Sequence, residues 1–208
     1  MKTVYVYVMN AMADWEIGWC LAELNSKRFF KKNATEISVK TVSLSKKPVK
    51  SMGGLTIVPD LAVSDIQITK DNALILPGSD SWTEADNFQI LQIAKQFLEA
   101  GGLVAAICGA TVALANAGLL DNRKHTSNGA GFLNMFCPEY KGTGNYINKP
   151  AVRDGTLITA AATGALDMTK LILEYLDVFQ PDTLKRWYAY FSTGNANEFF
   201  AMMQSLQK

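Results

Sequence analysis

Short apolar runs alternate along the chain with longer stretches whose hydrophobic positions recur every three or four residues. Val4-Tyr5-Val6-Tyr7-Val8 is β-branched and aromatic and ends at Asn10, which predicts a buried first strand. Asp14 is placed to cap a helix running from about Trp15 to Leu24, and Ile37 to Val42 reads as a second strand. Gly53-Gly54, lying between short apolar runs in Lys50 to Val58, is a hairpin signal. Ala73-Leu74-Ile75-Leu76 is continuously apolar and stops at Pro77-Gly78, as a central parallel strand does before a loop. From Phe88 to Ala100 a helix fits, with Ile90, Leu91, Ile93, Ala94, Phe97 and Leu98 on one broad face.

A further strand is expected over Leu103 to Ile107 and a small-residue helix over Gly109 to Ala117. Lys124 to Ser127 reads as a short strand after the polar turn Asp121-Asn122-Arg123. Asp154-Gly155 marks a second hairpin that feeds Thr156 to Ala160, and Asp167 to Phe179 supplies another amphipathic helix. The tail from Leu184 to Leu206 is expected to be helical, with Trp187, Tyr188, Tyr190, Phe191, Phe199 and Phe200 as core or subunit contact. Strands alternating with helices predict an α/β fold, doubly wound, with a mostly parallel sheet sandwiched by helices. No repeat or linker divides the chain, so one domain over residues 1–208 is expected, with a helical tail from about 181 to 208 packed on it.

Composition narrows the function classes. Of 208 residues, 49% are hydrophobic and 19% charged, enough apolar material for one buried core. The formal net charge of +1 supplies no field to gather phosphate backbones or anionic lipid, so no nucleic-acid partner is expected. One histidine, His125, and three cysteines without C-x-x-C spacing make neither a zinc site nor a disulfide framework; no metal or cofactor is expected. The uncharged stretch from Ala100 to Leu120 has the length of a membrane span. Gly101-Gly102, Cys108-Gly109 and Asn116 divide it into two soluble elements, so no membrane partner is expected. A reduced, cytoplasmic protein is the resulting expectation.

In open parallel sheets, ligands bind beyond the carboxyl ends of the strands where strand order reverses. Three loops meet that rule, carrying Glu16, the Pro77-Gly78-Ser79 turn, and Cys108. Cys108 falls on an abrupt strand-to-helix turn with small neighbours, Ala106-Ile107-Cys108-Gly109-Ala110, the layout of a nucleophile elbow. Unpaired N–H groups at the helix start favour thiolate and can draw a thiol from about 8.5 toward roughly 3.5–7.5. The same residue also fits a small buried hydrophobe, as free cysteines often are. Cys20, on the first helix's packing face, and Cys137, before Pro138 in a loop, have no comparable setting. Gly129-Ala130-Gly131 and Gly142-Thr143-Gly144 lack the residues of a phosphate-binding loop and read as turns.

Three stretches together resemble the ThiJ/PfpI family: Ala73-Leu74-Ile75-Leu76-Pro77-Gly78, Ala105-Ala106-Ile107-Cys108-Gly109-Ala110 with Gly118-Leu119-Leu120, and Asp154-Gly155-Thr156-Leu157-Ile158-Thr159. The resemblance spans about residues 2–178 and implies a flavodoxin-like sandwich, commonly a homodimer or larger assembly. It implies that Cys108 is the nucleophile and that Glu16, at the start of the first helix, hydrogen-bonds to it. A protonated Glu16 donating to the sulfur would satisfy both groups. Backbone N–H groups at Gly78, Ser79 and Gly109 are the implied oxyanion hole.

The resemblance fails at the base. Protease-like and deglycase-like relatives carry a histidine soon after the strand that follows the elbow helix, and here that position is Asn128, an auxiliary residue at most. His125 lies three residues earlier and, in an extended segment, faces the other way, as a surface or packing residue. The His-x-Glu pair of glutamine amidotransferases has no counterpart after His125. The leading expectation is a stress-related, cysteine-dependent hydrolase acting on a small-molecule or peptide carbonyl. The alternatives are a redox sensor in which Cys108 becomes a sulfinate, and a family member that binds a small molecule without chemistry.

Overall fold

The computed structural model describes residues 1–206. The chain begins β1 (Lys2–Tyr7), α1 (Asp14–Ser26), β2 (Ile37–Ser43), then a small hairpin, β3 (Val49–Lys50) and β4 (Thr56–Ile57), and β5 (Leu61–Ala62). β6 (Ala73–Leu76), α2 (Phe88–Glu99), β7 (Leu103–Ile107), α3 (Gly109–Asn116) and α4 (Phe132–Phe136) follow. The last third is β8 (Ala151–Asp154), β9 (Leu157–Ala160), α5 (Ala165–Leu176), α6 (Pro181–Thr193) and α7 (Ala196–Ser205).

Seven strands form one sheet in the order β5-β2-β1-β6-β7-β9-β8, parallel except for β8 against β9. β6, β7 and β9 are buried along their whole length, which is why β6 and β7 read as unbroken apolar runs. From β1 the chain crosses to β2 on one side and later to β6 on the other, so the order reverses between β1 and β6. Right-handed crossovers put α1 on one face and α2 and α3 on the other. α5 packs with α1 and against β8 and β9, and α6 and α7 continue that layer outward. The fold is the doubly wound α/β sandwich that the alternation of elements predicts.

Register brings the site together. Val6 pairs with Ile75, Leu76 with Ala106, and Ile107 with Ala160, so β1, β6, β7 and β9 end at one level. The loops that follow them therefore emerge side by side.

Four local expectations change. Asp14 is the first residue of α1 rather than its cap; Ala13 is the N-cap, and the Asp14 carboxylate instead accepts the Gly53 N–H at 2.5 Å. Lys124 to Ser127 is no strand of the sheet. The hairpin partner β8 already occupies the edge of β9, and the segment makes a single bridge, His125 to Tyr146, while the Thr126 N–H bonds the Thr159 hydroxyl at 2.8 Å. α5 stops at Leu176 because Asp177 turns left-handed at φ 54°. The tail is two helices, broken where Gly194 adopts φ 71° and its N–H caps the Tyr190 carbonyl. No described helix is long and apolar enough to cross a membrane.

Candidate active site

Cys108 stands between β7 and α3 with φ 56° and ψ −121°, a conformation that costs a side-chain-bearing residue about 1–3 kcal/mol. Hydrogen bonds on both sides hold it there. Its N–H bonds the Ala160 carbonyl at 3.0 Å, and its own carbonyl accepts the Thr111 N–H at 3.0 Å and the Thr111 hydroxyl at 2.6 Å. The Thr111 oxygen lies 2.6 Å from the Ser127 hydroxyl; since Thr111 spends its hydrogen on Cys108, Ser127 is the donor. The turn is thus tied to the segment that carries Asn128.

Glu16 is fully buried in the first turn of α1. Its Oε2 accepts the Gly78 N–H at 2.6 Å. Its Oε1 is buried without an N–H or O–H partner among the described residues, and the carboxyl borders the Cys108 thiol. Burial pushes Glu16 above the ordinary carboxyl value, against the opposing pull of the Gly78 N–H and of Cys108. Gly78 separates the two side chains: a Cβ there would sit 2.5 Å from Glu16 Oε2 and 2.8 Å from Cys108 Cβ. Any residue but glycine would drive them apart.

Asn128 reaches the sulfur from the other side. Its Nδ2 donates to Cys108 Sγ at 3.3 Å, and its Oδ1 accepts the Ala162 N–H at 2.8 Å. The Ala162 amide fixes which end of the side chain faces the thiol, so Asn128 offers the sulfur a donor and no proton acceptor. Burial pushes the Cys108 thiol up; the Asn128 amide pulls it down, a charged Glu16 pushes it up, and the Gly109 N–H pulls it down. The net direction is upward, which corrects the expectation of a thiol lowered by the helix start. Desolvation at the base of the cleft outweighs the unpaired amides.

Gly78 also requires a correction. Its N–H is occupied by Glu16, which leaves the amides of Ser79 and Gly109 out of the three donors that the resemblance implies. These two lie close together: a Cβ on Gly109 would be 2.8 Å from the Ser79 carbonyl oxygen and 3.3 Å from its nitrogen.

His125 is away from the thiol and fully buried. Its Nε2 lies 2.6 Å from the Tyr140 hydroxyl and its Nδ1 2.6 Å from the Arg123 carbonyl, so both ring nitrogens are used. Of the two roles open to it, packing is the one the structure gives. Cys20 and Cys137 are buried, and burial pushes Cys20 up to about 12.

A cavity of about 360 Å³ opens over Cys108. Its walls include Trp15, Met52, Trp82, Val112, Phe132 and Phe136, none of which the sequence reading nominated. They come from α1, the β3–β4 hairpin, the turn after β6, α3 and α4, and no local spacing links them. The one signal was Trp15, a large aromatic beside Glu16 in the first turn of α1. No group of three metal-ligating side chains occurs among the described residues.

A cysteine on a strained strand-to-helix turn beside a buried glutamate, at the carboxyl ends of the central strands of a doubly wound sheet, defines a class of α/β proteins. The chain belongs to the DJ-1/PfpI family, whose family model matches residues 2–175. It is 42% identical to the uncharacterized protease YoaZ of Bacillus subtilis, over 100% of this chain and 99% of that protein. It is 34% identical to the uncharacterized protease YdeA of the same organism, over 89% of each. The crystal structure of a thiJ/pfpI family protein from Bacillus anthracis superposes with a TM-score of 0.97 at 43% identity, covering 100% of this chain and 99% of that one.

Proposed function

We propose that the protein is a cysteine-dependent hydrolase of neutral carbonyl compounds, with Cys108 as nucleophile and Glu16 as its proton acceptor. The observation that carries this reading is the buried Glu16 carboxyl, whose Oε1 has no N–H or O–H partner among the described residues, bordering a thiol held at positive φ. A carboxylate raised by burial is a better base than an ordinary one, and here it faces the one proton that must leave before sulfur can attack. The proton passes from Sγ to Glu16 Oε1, sulfur adds to the carbonyl carbon, and the resulting oxyanion is received by the Ser79 and Gly109 N–H groups. Collapse breaks the bond to the leaving group, which takes the proton back from Glu16. Water then hydrolyses the thioester and restores the thiol. Asn128 donates to the sulfur while it is charged. The names of the Bacillus subtilis relatives agree with a hydrolase and leave the substrate open.

A second reading is favoured by Asn128. Its Nδ2 would donate equally well to a sulfinate, which needs no base, and a redox role for Cys108 then replaces turnover.

The test is to incubate the protein with activated esters and amides, following product and the intact mass. A transient acyl adduct on Cys108 is expected, with turnover abolished in Cys108→Ser and lowered about 10²–10⁴-fold in Glu16→Gln. Turnover unchanged in Cys108→Ser would overturn the hydrolase. No adduct with any substrate, together with peroxide adding two oxygens at Cys108 alone in an intact fold, would favour the redox reading.

A further inference from the structure

The cavity over Cys108 is chemically one-sided. Trp15, Met52 and Phe136 at its walls are 55%, 46% and 52% exposed, in a fold that buries most of its other large apolar groups. Such a patch, when concave, marks a ligand site. The charged side chains that line it are Glu16 and Asp80, both acidic, and no lysine, arginine or histidine joins them among the described residues. A carboxylate or phosphate entering would find no cation and would face two acidic groups.

The apolar rim is also held in place. The Met52 N–H bonds the Met12 carbonyl at 2.8 Å and the Gly53 N–H bonds Asp14, which pins the hairpin tip to the start of α1. Trp82 donates its indole N–H to the Pro77 carbonyl at 2.8 Å, and the Phe132 and Phe136 rings lie 4.8 Å apart. A preformed apolar wall costs a ligand little to order. At about 360 Å³ the cavity stands near the lower end of the range for small-molecule sites, about 300–1,000 Å³, with room for one bulky group beside a reacting carbonyl.

We infer that the site selects uncharged carbonyl compounds carrying an aromatic or branched aliphatic group next to the carbonyl, which rests between Trp15, Met52 and Phe136, and that it rejects carboxylates. This rests on Cys108 being the nucleophile, and it adds the substrate class.

Alkylation separates the two ideas, because it needs no turnover. Iodoacetamide, N-benzyl iodoacetamide and iodoacetate carry the same leaving iodide and differ in bulk and charge. Labelling rates at Cys108, read by peptide mass spectrometry, are divided by the rates with N-acetylcysteine. The benzyl reagent should gain about tenfold or more over iodoacetamide, and iodoacetate should lose. Trp15→Ala and Phe136→Ala, both changes at exposed side chains, should remove most of the benzyl gain, read within each variant as the ratio of the benzyl reagent's rate to that of iodoacetamide. Labelling of Cys108 by all three at the free-thiol ratios would overturn the inference and leave the nucleophile standing. No labelling by any of them would overturn both. A change in oligomer mass in the two variants, with the benzyl gain intact, would show the patch to be a subunit contact and overturn the inference.

Discussion

Glu16 keeps a carboxyl where water does not reach it, and that placement has opposite consequences for stability and for chemistry. Burial raises it from the ordinary 4.5, so the folded chain holds this proton more tightly than the unfolded one. Its contribution to stability is complete below 4.5 and is lost as the pH rises through the folded value. Glutamine has the same shape, keeps an acceptor for the Gly78 N–H, and carries no charge. Glu16→Gln is therefore expected to be more stable than the wild type at pH 7–8 in urea unfolding, with the advantage vanishing near pH 4. The same change removes the negative charge that pushes Cys108 up, so the midpoint of its alkylation against pH should move down. A variant more stable, more easily alkylated and less active would mark Glu16 as a group kept for its chemistry at a cost in folding. A stability difference independent of pH would show that its proton plays no part.

The β3–β4 hairpin is the element whose position depends most on one side chain. It has two residues per strand, too little to be stable alone, and lies outside the main sheet. Asp14 ties its tip to α1. Asp14→Ala should cost about 1 kcal/mol and release the amides of Gly53 and Leu55 to faster hydrogen exchange, while the strands beside Cys108 keep their protection. Unchanged exchange at Gly53 would mean that the Met52 and Met12 backbone bond holds the hairpin by itself. The role of Asp14 was invisible in sequence, where an acidic residue before a helical run reads as a cap; its true partner is 39 residues away. Strands over Ala73 to Leu76 and Leu103 to Ile107 were legible because burial on both faces leaves an unbroken apolar run. Lys124 to Ser127 misled because strand propensity carries no information about whether a sheet edge is free. Gly194 could have signalled the break in the tail, but the aromatic positions on either side keep helical spacing across it. Cys108 and Glu16 were legible through a local turn pattern and a family resemblance. The competition for the Gly78 amide, and the burial that outweighs the helix start at Cys108, arise only from packing.

At the scale of the whole molecule, His125 links acid stability to the geometry of the thiol. It lies in the segment that delivers Ser127 and Asn128 to the elbow, packed at right angles to Tyr140 and Tyr146, with ring centroids 5.6 and 5.9 Å away. Burial lowers it from the ordinary 6.5, against the Arg123 carbonyl and the nearby Asp121, which pull it up; Tyr140 is itself pushed up to about 12. The folded chain therefore binds this proton less readily than the unfolded chain. The stability it contributes is present above 6.5 and is lost as the pH falls through the folded value, the reverse of the Glu16 case. His125→Phe keeps the bulk, removes the titration, and leaves the Tyr140 hydroxyl and Arg123 carbonyl unpaired. It should cost about 1–3 kcal/mol at pH 8, and the gap to the wild type should narrow toward pH 5 as the wild type alone weakens. Urea unfolding of the two proteins between pH 5 and 8 measures that gap, and a constant gap would show that His125 does not titrate on unfolding. Because Ser127 and Asn128 follow it directly, loosening of this segment should also slow alkylation of Cys108 in the variant at pH 8, where the thiol relies on the Asn128 amide. Wild-type rates in His125→Phe would separate the packing of this segment from the chemistry at the elbow.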